Sequence, residues 1–351
     1  MRGLLAALAL AAASAGAQEP AVTPRARIER TVADSGFAGV FAVSEGGRRI
    51  AGGAVGEAAP GQPFHYDMVF PWMSVTEQAV ATMVMQDVED RRVALDAPAS
   101  RYLRELGGGP RSPTVRELLQ HRSGLRDPAE SPADATGRPS FYTGGPTGIE
   151  WCLGGRTAPG GPSRDNDCDY LVLGGILERV NGRPLGELFA TRIAGAVGAR
   201  TRFVGTPVGL DADTVWAGGP GIAYSQALAR HGSAGALIGT AEDMLAFDGA
   251  LLSGALLTDR ARAEMWRGDP GRDFRALGQR SFTASLAGCA EPVRVIERQG
   301  AIGDFQVRNL IAPDRGVAAV LLTNRPTFDF GEIRRGAGLS HDLLASALCP
   351  A

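Results

Sequence analysis

The sequence contains no lysine; all 36 of its basic side chains are arginine. A guanidinium keeps its proton under ordinary conditions, so no side-chain amine of this chain can act as a base or form a Schiff base. Aromatic residues are sparse at 6%, and there are four histidines and four cysteines. No basic run occurs, and the formal charge of -2 leaves no electrostatic footprint for nucleic acid or anionic lipid. Long apolar runs are also missing. The longest, Leu4 to Ala15, is short of the roughly 20 residues that a membrane-spanning helix needs. It follows Arg2 and ends in Ala15-Gly16-Ala17, which reads as a secretory signal peptide over residues 1–17. Residues 18–351 are then expected outside the cytoplasm, secreted or periplasmic.

What remains is long enough to bury a large core as one domain or as two closely packed ones. An even number of cysteines in an exported chain suggests disulfides. Of the three connectivities, Cys152 with Cys168 and Cys289 with Cys349 is preferred. The first closes a short loop and the second can tie the last helix to a nearby strand, and free buried thiols are the alternative. The histidines lie far from the cysteines and show no zinc spacing, so neither a metal site nor a cofactor is assigned.

Along the chain, Pro24 to Ala33 reads as a polar helix, and Gly36 to Val55 alternates around Glu45-Gly46-Gly47-Arg48 as a hairpin. Val75, Ala79, Met83 and Val84 recur at helical spacing from Ser74 to about Glu89. Thr114 to Leu119 is a short helix, and Asp127 to Pro162 reads as loops. Tyr170 to Asn181 and Leu185 to Ala194 are helices parted by Gly182-Arg-Pro184. A capping signal at Thr240 to Asp243 opens another. Strands return at Val293 to Arg298, Phe305 to Ala312 and Gly316 to Thr323, before a last helix over Gly331 to Leu348. The predicted class is α+β. An antiparallel sheet is built from about 36–56 and 292–324, with a mostly helical insert between. The glycine-rich pieces at Gly107 to Pro110 and Gly218 to Gly221 lack phosphate-loop spacing and read as turns.

The segment Phe70-Pro-Trp-Met-Ser-Val-Thr-Glu-Gln-Ala-Val resembles the Ser-x-x-Lys nucleophile helix of the penicillin-recognising serine hydrolases: class C beta-lactamases, low-molecular-weight penicillin-binding proteins and related esterases. Thr114-Val-Arg-Glu-Leu-Leu-Gln-His-Arg-Ser-Gly-Leu125, Tyr170 to Glu178 and Ala312 to Asn324 resemble further elements of that family, and the likeness covers nearly the whole chain after the leader. It implies that Ser74 is the acyl nucleophile. Glu77 stands where the family has its lysine. Counting back from Tyr170, the family's Tyr-x-Asn falls on Asp165-Asn166-Asp167; counting back from Phe305, its Lys-Thr-Gly strand falls on Arg298-Gln299-Gly300.

A serine hydroxyl is a weak nucleophile unless an adjacent base takes its proton, and a positioned base contributes about a hundred- to ten-thousand-fold. Glu77 can reach the face of Ser74 at i+3, and Asp165 and Asp167 would raise its pKa by like-charge repulsion. Glu77 with Arg298 also reads as a compensating ion pair. His121 reads as a hydrogen-bonded scaffold residue, and a catalytic role for His65 is remote. Convergence of Glu77, Asp165 and Asp167 on a hard cation is not fixed by anything in the sequence.

Two readings follow. In the first the acyl-transfer machinery has decayed, making a pseudoenzyme whose cleft, lined by Asp165, Asp167, Arg298 and Gly300, binds a small-molecule or peptide-like ligand or a protein partner. In the second the protein is a working esterase or amidase with Ser74 as nucleophile and Glu77 as base. The first is the leading reading, because function is argued from the site residues, and the second, favoured by the scaffold, is the alternative.

Overall fold

The structure, a computed structural model, describes residues 23–204 and 227–349. The leader and the Gly218 to Gly221 turn lie outside the described residues. The backbone of the fold is one antiparallel sheet of six strands. They are β1 (Gly39–Glu45), β2 (Arg48–Val55), β3 (Arg280–Ala284), β4 (Val293–Ile302), β5 (Phe305–Ala312) and β6 (Val317–Thr323), in the order β2-β1-β6-β5-β4-β3. The first hairpin pairs directly with the last strand, Val40 opposite Leu322 and Ser44 opposite Ala318. The two ends of the chain therefore complete one sheet, and everything between β2 and β3 is an insert.

Sequence alternation explains why this sheet sits at the centre. In β6, Val317, Ala319 and Leu321 face one apolar cluster while Ala318, Val320 and Leu322 face another. A strand buried on both faces reads as a continuous apolar run rather than an alternating one. One face is covered by α1 (Pro24–Asp34) and α6 (Leu339–Leu348). The other carries α5 (Ala241–Ser253) and the helical insert, with α2 (Thr76–Glu89), α3 (Val115–Leu119) and α4 (Asp167–Asn181). Capping boxes at Thr114/Glu117 and Thr240/Asp243 start α3 and α5. No helix of the described residues is long and apolar enough to cross a membrane.

Three details differ from the sequence reading. The last helix begins at Leu339 rather than Gly331, because Gly331 and Gly338 close a tight turn first. Both have positive φ, and a Cβ on Gly331 would stand 2.3 Å from the Ala337 carbonyl oxygen. The stretch read as loops contains the short helices Ser140–Thr143 and Gly148–Leu153. The edge strand β3 and a small three-stranded sheet of Phe70–Pro71, Leu237–Gly239 and Arg202–Phe203 have no counterpart in that reading. Both disulfides join the expected pairs, Cys152 with Cys168 and Cys289 with Cys349. The second clamps α6 to the turn before β4.

Helix α2 is buried on every side, and its polar side chains must find partners inside the protein. Asp87 accepts from Arg92, Arg192 and Asn181 at 2.7–3.0 Å. Gln78 donates to Gln279 at 2.8 Å and accepts from Asn309 at 3.0 Å, and Asn309 also donates to Asp248 Oδ1 at 2.9 Å. This row bolts α2 and α5 to β5. Two of its atoms are left without a partner, Asp248 Oδ2 and Asn309 Oδ1. A proton on Asp248 supplies the missing donor, and burial pushes this carboxyl up to about 8 against the pull of the Asn309 hydrogen bond.

Because folded Asp248 holds its proton more tightly than the unfolded chain does, its contribution to stability is complete below the ordinary carboxylate value of about 4. It is lost as pH rises through about 8. Asp248→Asn places an N–H where the acid proton sits. Its stability relative to the parent is expected to climb between pH 4 and 8 by up to about 1.4 kcal/mol per pH unit. Denaturant melts at pH 5 and pH 8 check this, and an identical difference at both would mean that Asp248 titrates as an ordinary acid.

Candidate active site

Ser74 lies in the single 3-10 turn Met73–Val75 that leads into α2, and the turn is entered through Met73 at φ +49°. A left-handed conformation at a long side chain is strained, and it persists only where surrounding contacts enforce it. Strand β4 does so here. A Cβ on Gly300 would stand 3.0 Å from the Trp72 carbonyl oxygen and 3.1 Å from the Ser74 amide nitrogen, so only glycine lets the strand lie against this turn. Ser74 is partly exposed, and its hydroxyl makes no hydrogen bond among the described residues. Ser74 is held by its backbone and left open at its side chain.

One helical turn on, Glu77 is only 1% exposed. Its Oε2 is paired with Arg298 Nη2 and lies 3.1 Å from His121 Nε2. Arg298 is 4% exposed and stands on β4. Its Nε donates to the Ser74 carbonyl oxygen at 3.0 Å and its Nη1 to Asp165 Oδ1 at 3.1 Å. Arg275 Nη1 reaches the same Asp165 oxygen at 2.9 Å. His121 Nδ1 is 3.3 Å from Asp169 Oδ2, and Ser123 donates to the other Asp169 oxygen. Three carboxylates, Glu77, Asp165 and Asp169, thus interleave with three cationic groups, Arg275, Arg298 and His121.

The electrostatics follow from that interleaving. Burial opposes a charge on His121, but Glu77 and the Asp169 hydrogen bond outweigh it and push the imidazole up to about 9. The Asn166 amide also approaches Nδ1, at 3.2 Å, a contact that suits a bare ring nitrogen. With carboxylates on both sides of the ring the charged form prevails, and Nδ1–H serves Asp169. Burial would raise Asp165 too, yet Arg298, His121 and Arg275 hold it well below the usual carboxylate range. Asp169 is raised by burial in spite of His121 and Ser123. Arg298 is lowered by burial and raised further by Glu77 and Asp165, and the net effect is upward.

Asp167 belongs to a second cluster. Its Oδ2 accepts from Tyr142 Oη at 2.8 Å and from His231 Nδ1 at 2.7 Å. The rings of Tyr142 and His231 stack with centroids 4.1 Å apart. Burial opposes ionisation of Asp167, but the hydrogen bonds from His231 and Tyr142 win and depress its pKa. The Cys152–Cys168 bond pins the start of α4 next to Asp167.

The structure therefore brings together Ser74, Glu77, Asp165, Arg298 and Gly300, with Asp167 on the adjoining cluster. His65 is exposed and takes no part in either cluster. Arg275, Asp169, Tyr142 and His231 were not singled out by the sequence; each reaches the cleft through tertiary folding, with His231 lying 64 residues from its partner Asp167. No group of three or more His, Cys, Asp or Glu able to hold a metal ion occurs among the described residues. A concavity of about 840 Å³ is lined by Val88, Arg91, Arg116 and Arg260 at the far end of α2. The length of that helix puts it roughly 20 Å from Ser74.

A six-stranded antiparallel sheet with a helical insert and a serine at the head of the buried central helix defines the penicillin-recognising serine-hydrolase scaffold. The chain belongs to the Beta-lactamase family, whose pattern it matches over residues 25–341. It is similar to a D-aminopeptidase of Cereibacter sphaeroides, 25% identical over 309 residues, covering 82% of this chain and 57% of that protein. A D-aminopeptidase from another strain of the species is 30% identical over 172 residues, 47% of this chain and 33% of its own length. The chain thus spans a third to just over half of these curated relatives. Among solved structures, a D-stereospecific amidohydrolase from Streptomyces sp. superposes with a TM-score of 0.71 at 21% identity, covering 93% of this chain and 99% of that one. The D-amino acid amidase of Ochrobactrum anthropi SV3, solved with D-phenylalanine, gives 0.70 at 21%, covering 93% and 96%.

Removing one partner of a buried ion pair leaves the other uncompensated, which costs about 3–5 kcal/mol, whereas replacing both with apolar side chains is often neutral. Arg298→Met is expected to lose about that much in urea melts. The double variant Glu77→Met with Arg298→Met is expected to recover most of it. A single-variant loss below about 1 kcal/mol, the range of exposed pairs, would show that the network is not structural.

Proposed function

We propose that the protein is a serine-dependent acyl hydrolase of the Beta-lactamase family acting on small amides or esters of amino-acid or short-peptide type. Ser74 is the nucleophile, and catalysis runs outside the Ser-x-x-Lys route. The observation that carries this reading is the state of Ser74. Its amide lies against β4 at Gly300, where a developing oxyanion can be met by backbone N–H, while its hydroxyl is uncommitted. The relatives named above, a D-aminopeptidase and a D-amino acid amidase, support the choice of substrate class. Glu77 serves as the structural partner of Arg298 and His121 rather than as the base. Work outside the cytoplasm is supported by the leader-like first 17 residues and by two disulfides, which persist in oxidising compartments.

One observation favours a second reading, a cleft that binds such ligands without turnover. The position that holds the base in the family's motif is sealed by an arginine. Loss of a positioned base is worth about a hundred- to ten-thousand-fold in rate, or roughly 3–5 kcal/mol of barrier.

Intact-mass analysis after incubation with a fluorophosphonate separates the two. The hydrolase reading expects one adduct on the folded protein that disappears in Ser74→Ala. Absence of an adduct on a folded protein would leave the binding reading in possession.

A further inference from the structure

We infer that His231, oriented by Asp167, is the base of the Ser74 cleft. This rests on the hydrolase reading above and supplies the group which that reading lacks.

The tautomer comes first. Asp167 Oδ2 accepts from His231 Nδ1 at 2.7 Å, and a carboxylate held in its charged form can only accept, so the ring proton sits on Nδ1. In the neutral ring Nε2 then carries the lone pair, and no described residue occupies it. Tyr142 holds the ring in place twice over. It stacks on the imidazole at 4.1 Å and donates to the same Asp167 oxygen. A histidine whose second nitrogen is fixed by a carboxylate is the arrangement that activates a serine in unrelated folds.

Placement comes next. Residues 300 and 302 of β4 project from the same face of the sheet, about 6–7 Å apart. At Gly300 that face meets the Ser74 amide. At Ile302 it meets the helix Gly232–Gly235, since a Cβ on Gly235 would stand 3.4 Å from Ile302 Cδ1 and 3.0 Å from His231 Cβ. The Cβ of His231 therefore lies beside the strand face that carries Ser74, about one side-chain step along it. A single water between Nε2 and the serine hydroxyl would complete the proton path.

Elimination leaves no rival among the described residues. Lysine is absent from the whole chain. Glu77 and His121 are locked to each other and to Arg298 and Asp169. Asp165 is held far below the range of a useful base, and guanidinium groups do not give up their protons. His341 is turned to Asp342 on α6.

In the step itself, the Ser74 hydroxyl proton passes through the water to Nε2 as Oγ bonds to the substrate carbonyl carbon, and the carbonyl π pair moves onto oxygen beside the Ser74 amide. Collapse of that oxyanion breaks the bond to the leaving amine or alcohol, which departs with the proton from Nε2. A water deprotonated by the same nitrogen then adds to the acyl carbonyl carbon, and collapse breaks the bond to Ser74 Oγ, which takes the proton back from Nε2 as the acid is released. Asp167 stays ionised throughout as a positioning residue.

The test is the rate of Ser74 phosphonylation by a fluorophosphonate, followed by intact mass, with thermal melts confirming the fold of each variant. His231→Ala is expected to slow labelling about a hundred- to ten-thousand-fold, and added imidazole to restore part of the rate. Asp167→Asn should slow it less, and His65→Gln should leave it unchanged. Wild-type labelling in His231→Ala, or a loss that imidazole does not reverse in a folded variant, overturns the assignment while Ser74 labelling of the parent keeps the hydrolase reading. A folded parent that takes no adduct overturns both.

Discussion

The buried contact between Glu77 and Arg298 joins the two halves of the molecule at their most sensitive point. Glu77 belongs to the helix around which the insert packs, and Arg298 to the sheet made from both ends of the chain. Two charges can be taken out of water only if each satisfies the other and the remaining hydrogen-bonding capacity is also filled. That requirement draws in Asp165, His121, Arg275 and Asp169. The same arginine holds the Ser74 carbonyl oxygen, so the backbone at the head of α2 is positioned by the network that stands where the family's motif has its lysine.

The scaffold was largely legible because it is written in local periodicity and capping. The hairpin around Gly46-Gly47, the helix after Ser74, the capping boxes at Thr114 and Thr240 and the turn at Pro313–Arg315 each declare themselves within a few residues. Elements that depend on distant partners do not. Arg280–Ala284 becomes a strand because β4 offers it an edge, and Gly331 leaves the helical path because Gly338 packs against it.

The site divides in the same way. Ser74 and Glu77 share one helical turn, and Asp165, Asp167 and Arg298 fall at fixed distances from Tyr170 and Phe305, so counting along the chain reaches them. Arg275 arrives from a loop in which Asp273 and Phe274 both have positive φ, and His231 precedes a four-residue helix with no periodicity of its own. Neither has a local signature. Their roles exist only where the chain doubles back, and His121, readable as scaffold from its loop, proves to be the cation between two buried acids.

The interleaved charges also constrain what this lineage can become. A single Glu77→Lys change, which would install the lysine of the family's motif, would place a third positive charge against Arg298 and His121 in a dry interior and strip both of a shared counter-ion. The protein would be destabilised before any base was in place. Arg298 would have to be neutralised first, and that step alone leaves Glu77 and Asp165 short of a buried counter-charge. Each order of substitution passes through an intermediate with an unbalanced buried charge, so the Glu77–Arg298 pair resists piecemeal exchange for a lysine.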